Sequence, residues 1–154
     1  MSALAALPAC GDRSGTVHWL PTGAGAALHT GAVTALDGVL LTDHGPTGDE
    51  QVALLVSGGA DGLVRAWKPG HPPLPKPVDG HGCPVTAVAI GLGPRGLVVA
   101  SGWADGLIRL CCLAEPGRTV ELRLGAPARA LLVDDAGHLV VLLPEGLVSV
   151  ALTP

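Results

Sequence analysis

The chain has 154 residues, of which 48% are hydrophobic and only 14% charged, and this composition excludes an intrinsically disordered segment. Its net charge of −4, with three Trp and no Phe or Tyr, provides neither the basic surface nor the stacking aromatic residues of a nucleic-acid-binding protein. The longest apolar runs, such as Leu139–Leu143, are much too short to span a membrane. We therefore expect a folded domain with a sizeable apolar core.

Four similar units follow one another along the chain, at about 1–28, 29–80, 81–124 and 125–154. Each unit holds an apolar strand, a tight turn and a second strand, and the turn glycines are Gly15, Gly62, Gly106 and Gly146. These glycines are 47, 44 and 40 residues apart, close to the about 40–45 residues of a four-stranded repeat. No stretch shows a helical period of useful length, so a single all-β domain is predicted over residues 1–154.

In chain order, the first unit is predicted to begin with a strand at Ser2–Cys10 and to end with one near Gly25–Leu28. The middle units each add an inner strand before the turn and a weaker outer strand after it. The last unit has predicted strands at 127–133, 138–143 and 147–152. The pattern gives fourteen strands in total, because the innermost strand of the first unit and the outermost strand of the last unit are missing from it.

Residues 57–70 read Ser-Gly-Gly-Ala-Asp-Gly-Leu-Val-Arg-Ala-Trp-Lys-Pro-Gly, and residues 101–113 read Ser-Gly-Trp-Ala-Asp-Gly-Leu-Ile-Arg-Leu-Cys-Cys-Leu. The pattern resembles WD40 repeats over nearly the whole chain, and most closely in these two middle units. The resemblance implies an incomplete β-propeller of four-stranded antiparallel WD40-like blades. It also implies a scaffold or adaptor that binds protein partners, without enzymatic activity and without a cofactor.

WD40 repeats carry a buried tetrad of His, Ser or Thr, Asp and Trp, and the resemblance implies such a set in each middle unit. By matching position, the second unit has His29, Ser57, Asp61 and Trp67. The third unit has His81, Ser101 and Asp105, with Cys111 where the Trp belongs. The outer units depart from the pattern, because the Asp position is taken by Ser14 in the first and by Glu145 in the last.

The same residue types raise the alternative of a hydrolase triad, formed by His29, Ser57 and Asp61. Because the set recurs in the next unit, a repeated structural network is the better interpretation, and no catalytic residue is predicted. A zinc site at His71, His81 and Cys83 is also not predicted, since the spacing is irregular and no fourth ligand is evident. The cysteines fit no disulfide framework, so we expect reduced thiols and a cytoplasmic or nuclear protein.

Three residues are candidate contacts for a partner. Trp103 stands just before a turn, where the family usually has a small residue, and it is either an exposed anchor or a ring packed onto its own blade. Arg65 and Arg109 occupy matching positions in successive units, and they form either a binding row or a solvated strand face.

Fourteen strands make about three and a half blades, and such an arrangement leaves open sheet edges at both ends. We therefore expect another polypeptide or a second copy of the chain to complete the propeller, since closed propellers have about four to eight blades. Two copies would contribute twenty-eight strands, the number in a seven-bladed ring. The alternative is a sensor or regulatory fragment, or an isoform, of a larger multidomain WD40 protein.

Overall fold

Fifteen strands form four antiparallel sheets in the part of the chain that the computed structural model describes, residues 3–4 and 7–153. Within each sheet the strands lie in chain order, and we call the sheets blades 1 to 4. Each blade falls within one of the four predicted units. Among the described residues, no helix is long and apolar enough to cross a membrane.

The strands have the following bounds. Blade 1 contains β1 (Ala3–Leu4), β2 (Ala9–Gly11), β3 (Thr16–Trp19) and β4 (Ala24–Ala27). Blade 2 contains β5 (Val33–Gly45), β6 (Gly48–Gly59), β7 (Leu63–Trp67) and β8 (Asp79–Gly80). Blade 3 contains β9 (Val85–Gly93), β10 (Gly96–Trp103), β11 (Leu107–Cys112) and β12 (Thr119–Arg123). Blade 4 contains β13 (Ala130–Val133), β14 (His138–Leu143) and β15 (Gly146–Ala151).

Blade 1 has an inner strand where the sequence predicts none. In β1, Ala3 pairs with Gly11 and Leu4 pairs with Cys10 of β2. The prediction of one strand at Ser2–Cys10, and with it the total of fourteen strands, is therefore wrong. A strand of two residues is too short to show the alternation by which strands are recognised in a sequence. Blade 4 does lack an outer strand among the described residues.

Three of the four turn glycines touch the segment that enters the next blade. Gly15, Gly62 and Gly106 have positive φ values of 92°, 79° and 84°, a conformation that strongly favours glycine. A Cβ atom at any of them would overlap the backbone carbonyl of one residue of that segment, which we call the entering residue. Each glycine carbonyl also accepts a hydrogen bond from the N–H of that residue, over distances of 3.0–3.1 Å: the entering residues are His29, His81 and Leu124.

The core consists of three clusters, one between each pair of successive blades. Val17, Leu36 and Leu55 belong to the first cluster, Val64 and Leu107 to the second. The third cluster sets alanines and larger residues of blade 3 against Leu131, Val133, Leu139 and Val141 of blade 4. Within the described residues, blades 2 and 3 are therefore covered on both faces, whereas each end blade has a packed neighbour on one face only.

Candidate functional site

A buried network forms where the chain passes from blade 1 into blade 2. His29 lies between β4 and β5, and its side chain is 0% exposed. Its Nδ1 atom is 3.0 Å from Oδ1 of Asp61, and its Nε2 atom is 2.8 Å from Oγ of Ser57. The backbone N–H groups of Thr30 and Leu63 also donate to the Asp61 carboxylate, each at 3.1 Å. The network thus joins the entry segment to β6 and to the turn that follows it.

Burial and hydrogen bonds together determine the charges of His29 and Asp61. Burial lowers the pKa of His29, more strongly than the neighbouring Asp61 raises it. Burial works to raise the pKa of Asp61, but the hydrogen bonds from Thr30, Leu63 and His29 lower it overall. A neutral imidazole has a single N–H, so Nδ1–H of His29 donates to the carboxylate and Nε2 accepts from the Ser57 hydroxyl. Ser57 is 1% exposed, so its hydroxyl group lies inside the protein and not at the surface.

Trp67 lies apart from these three residues. Its side chain packs in the cluster between blades 1 and 2, and its indole N–H donates to the backbone carbonyl of His71 at 2.9 Å. In the strand register Trp67 is opposite Leu55, whereas Ser57 is opposite Arg65. The structure therefore brings together three members of the proposed tetrad and gives the fourth a separate packing role.

The corresponding residues of blade 3 are arranged differently. Nε2 of His81 is 2.8 Å from Oδ2 of Asp105, and the Leu107 N–H donates to Oδ1 of Asp105 at 3.1 Å. Within the described residues, no hydrogen bond joins His81 to Ser101. The His81 side chain is 26% exposed, so this histidine lies nearer the surface than His29 does.

Trp103 explains the difference, because it occupies the position of Gly59 in blade 2. A Cβ atom on Gly59 would overlap Nδ1 of His29 and Oδ1 of Asp61. A large side chain at this position is therefore incompatible with a histidine in the inner position. In blade 3 the Trp103 ring fills the interior and meets the His81 ring edge-on, with 5.6 Å between the ring centroids.

Of the two alternatives for Trp103, an exposed anchor for a partner does not agree with the structure. The side chain is 0% exposed, and its indole N–H donates to the Gly62 carbonyl of blade 2 at 3.1 Å. The guanidinium carbon of Arg109 lies 5.5 Å from the ring centroid. Trp103 thus joins blades 2 and 3, a role that depends on atoms 41 positions away in the chain.

Arg65 and Arg109 do occupy matching places, opposite Ser57 and Ser101 respectively, but both are engaged within the chain. Arg109 donates to Glu121 at 2.7 Å and to Asp79 at 3.1 Å, and these contacts raise its pKa. Arg65 donates to the Leu74 carbonyl at 3.2 Å. Its Nε atom is buried and has no hydrogen-bond partner in the described part of the chain. Both guanidinium groups therefore already have partners within the chain.

Local His–Asp pairs replace the long-range network in the end blades. In blade 1 the turn is held by Asp12, and not by Ser14 as the sequence alignment suggests. Asp12 accepts from the N–H groups of Ser14 and Thr16 and lies 2.8 Å from Nε2 of His18. The contact with His18 contributes most to a lowered Asp12 pKa. Blade 4 has a similar pair, in which Nδ1 of His138 is 3.1 Å from Asp134.

One group of metal-ligating side chains is brought together by the fold. The possible ligand atoms of His81, Cys83 and Asp105 all lie within 4.8 Å of one another. His71, the third residue of the zinc site that the sequence does not support, lies outside this group, and Asp105 belongs to it instead. Asp105 is 22 positions beyond Cys83 in the chain, so spacing alone gave no signal for it.

Blade 4 exposes an apolar face. Leu132, Leu142 and Leu147 are 56%, 43% and 65% exposed. In the strand register Ala130, Leu142 and Leu147 are opposite one another, and Leu132 is opposite Val140. We call these five residues the leucine face. They point away from the residues of β13 and β14 that pack against blade 3.

Blade 1 has an uncovered face of a different kind, which we call the small-residue face. Cys10, His18 and Gly25 are opposite one another in the strand register, and Thr16 is opposite Ala27. Gly25 and Ala27 are exposed, and Cys10 is half-buried. The two ends of the row of blades thus differ in composition: leucines predominate on the leucine face, whereas glycine, alanine, cysteine, threonine and one histidine make up the small-residue face.

Comparison with known proteins identifies one repeat and the fold. The family model described as "WD domain, G-beta repeat" matches residues 27–68. A comparison with curated proteins found no match.

Solved structures with similar folds include two designed proteins and one natural assembly. The computationally designed Ika4 protein has a TM-score of 0.67 and 23% identity, over 99% of this chain and 91% of that chain. The designed Ika8 protein has a TM-score of 0.69 and 23% identity, over 98% and 45%. A chain of the Mitotic Checkpoint Complex has a TM-score of 0.70 and 20% identity, over 94% and 46%. The present chain therefore spans less than half the length of the last two.

Proposed function

One repeat of this chain matches the WD40 family and its fold is that of an open β-propeller, and from that premise we propose that it is a non-enzymatic protein-interaction module. Its role would be that of a scaffold or adaptor, and its principal docking surfaces would be the uncovered faces of blades 1 and 4. The observation that carries this proposal is the leucine face. The corresponding faces of blades 2 and 3 are buried against the next blade.

The leucine face has the character of an interface between blades. Three leucines on one sheet face, each 43–65% exposed, form the kind of contiguous apolar patch that marks a binding surface. The preference for a protein partner over catalysis is supported by the burial of Ser57, which makes the Ser-His-Asp set a structural network.

We propose a second copy of the chain as the partner for this surface. The interface between blades 3 and 4 already packs alanines, Ala87, Ala89 and Ala100, near the leucines Leu131 and Leu139. The small-residue face of one copy could receive the leucine face of the other in the same manner. Because the two ends differ, two copies would join head to tail at two equivalent contacts and close a ring.

Such a ring would have eight blades, because each copy contributes four. Eight lies at the upper end of the usual range of about four to eight, and it replaces the seven blades expected from the sequence. The other arrangements under test are completion by a different polypeptide and completion by further blades of a larger multidomain WD40 protein, of which this chain would be a sensor or regulatory part.

Size-exclusion chromatography with light scattering tests the proposal. The expected mass is that of two chains of 15.3 kDa each. Replacing two leucines of the leucine face, Leu132→Asp and Leu142→Asp, is expected to give a folded monomer. A matched control is Leu74→Asp, which alters a leucine that is 59% exposed in the loop before β8 and should leave the dimer intact. A wild-type chain that is a stable, folded monomer would contradict the second-copy proposal.

A further inference from the structure

The loop between β8 and β9 and the turn between β10 and β11 together present three possible metal ligands. His81 and Cys83 come from the loop, and Asp105 comes from the turn. The side chains of His81 and Asp105 are 26% and 38% exposed. An ion can therefore reach the group from solvent without any opening of the core.

Two departures from the blade 2 pattern converge on this group. Trp103 stands where blade 2 has Gly59, and it keeps His81 out of the interior position. Cys83 stands two residues after His81, where blade 2 has Gly31 two residues after His29. In blade 2 both ring nitrogens of His29 are already bonded, to Asp61 and Ser57, and Gly31 offers no ligand. The third blade thus combines a more exposed histidine with a thiol at the same place.

We propose that His81, Cys83 and Asp105 form a zinc-binding site. An imidazole nitrogen, a thiolate and a carboxylate are all common zinc ligands, and the thiolate makes Mg²⁺ and Ca²⁺ poor alternatives. With three ligands from the protein, the fourth position of a tetrahedral ion is left for water or for a group from a binding partner.

The required movement is small. Ligand atoms around tetrahedral zinc lie about 3.3–3.6 Å apart, given zinc–ligand bonds of about 2.0–2.3 Å. Nε2 of His81 and Oδ2 of Asp105 are 2.8 Å apart, so they need to separate only slightly while the Cys83 sulfur approaches. Gly82 lies between the two loop ligands, and a Cβ atom there would meet nothing within 4 Å. The loop therefore has space in which to adjust.

The charge of Asp105 favours the binding of a cation at this group, whereas the charge of Arg123 opposes it. The hydrogen bond from His81 is the main cause that lowers the pKa of Asp105 to about 2, with further contributions from the Leu107 N–H and from Cys83. The carboxylate is therefore charged at neutral pH. Arg123 opposes an ion, since its Nη1 atom is 3.6 Å from Oδ2 of Asp105. Its side chain is 64% exposed, so it can turn into solvent when an ion binds.

The site is tested by titrating the full chain with Zn²⁺ under reducing conditions, in competition with a chromophoric chelator. One ion per chain is expected. Cys83→Ser is expected to weaken binding by at least about tenfold, since even residues that only support a ligand contribute that much. The control Cys112→Ser alters a thiol on β11 outside the group and should bind zinc as the wild type does.

Two further measurements separate a metal site from a merely structural cluster. Co²⁺ is expected to produce a thiolate-to-metal charge-transfer absorption in the wild type that is lost in Cys83→Ser, while both proteins unfold at the same denaturant concentration without metal. Arg123→Gln is expected to tighten zinc binding. The inference is overturned if the wild type binds no zinc at one ion per chain, or if Cys83→Ser binds it equally well. Neither result depends on whether the chain forms a dimer.

Discussion

The interiors of blades 2 and 3 are filled in two different ways. In blade 2 a histidine with no exposed side-chain surface links Ser57 and Asp61. In blade 3 the histidine pairs with Asp105 at the surface, and a buried tryptophan fills the interior. The first arrangement fixes the segment that enters blade 2 to β6 and its turn, and the second ties blade 3 to blade 2 through the Trp103 indole and the Gly62 carbonyl.

The difference shows that one position decides where the histidine goes. Glycine at position 59 leaves space for an inner imidazole, and tryptophan at position 103 removes it. The repeat therefore tolerates two interiors of similar function and different chemistry. Only the second arrangement leaves its histidine and aspartate accessible to ions from solvent.

The largest expected effect comes from the tryptophan. Trp103→Ala should lower the free energy of unfolding by about 3–5 kcal/mol, because it empties a fully buried site between two blades. Chemical denaturation measures the loss, with Trp19→Ala, at a partly buried tryptophan of blade 1, as a milder control. An equal loss in both variants would contradict the role assigned to Trp103.

The serines provide a matched pair with a smaller effect. Ser57→Ala should cost about 1–3 kcal/mol of stability, because it leaves the buried Nε2 of His29 without a partner. Ser101→Ala should cost clearly less, since Ser101 does not bond to His81 within the described residues. Both serines are 1% exposed, so burial is the same in the two variants. Equal losses would show that the two networks do not differ in the way described.

The arginines provide a second matched pair. Arg109→Met should lower stability by about 1 kcal/mol, because it removes ion pairs with Asp79 and Glu121. Arg65→Met should cause little or no loss, since it also removes a buried N–H that lacks a partner in the described part of the chain. Thermal unfolding of the two variants side by side decides the matter, and a greater loss for Arg65→Met would contradict it.

The smallest expected difference concerns pH. The pKa of His29 is lowered in the folded state, mainly by burial, so below about pH 6.5 the unfolded chain takes up the proton more readily. Stability should therefore fall as the pH decreases from about 6.5 towards the lowered pKa of His29. In His29→Gln this part of the pH dependence should disappear, whereas His44→Gln, at a histidine that is 76% exposed, should retain it. Denaturation midpoints from pH 7.5 to 5 provide the measurement.

The features that the sequence predicts well are those that repeat locally. The turn glycines and the Asp-Gly hairpins of the middle units mark the blades, because positive φ and tight turns restrict the residue type at a fixed place. The sequence does not predict β1, because a strand of two residues is too short to show an alternating pattern. The role of Asp12 is not predicted either, because Asp12 lies two positions before Ser14, which takes the aspartate position of the repeat.

The candidate sites depend more on contacts between blades, and these have no local signature. The sequence places Trp103 at a turn. The Gly62 carbonyl that accepts its indole N–H belongs to the preceding blade, and no local pattern indicates this contact. Cys83 and Asp105 belong to one group only because the loop and the turn meet in space. The residue types were therefore visible in the sequence, whereas their surroundings were not.

The turn glycines also bear on how such a protein gains or loses blades. The turn at Gly62 is completed by the backbone of the next unit, at His81, just as the turn at Gly15 is completed at His29. A duplicated or deleted segment that begins and ends at turn glycines therefore keeps every turn with its partner, whereas one cut at the sheet boundaries separates them. The segment that can be duplicated or deleted without separating these partners therefore does not coincide with a single sheet. It runs from the middle of one blade to the middle of the next.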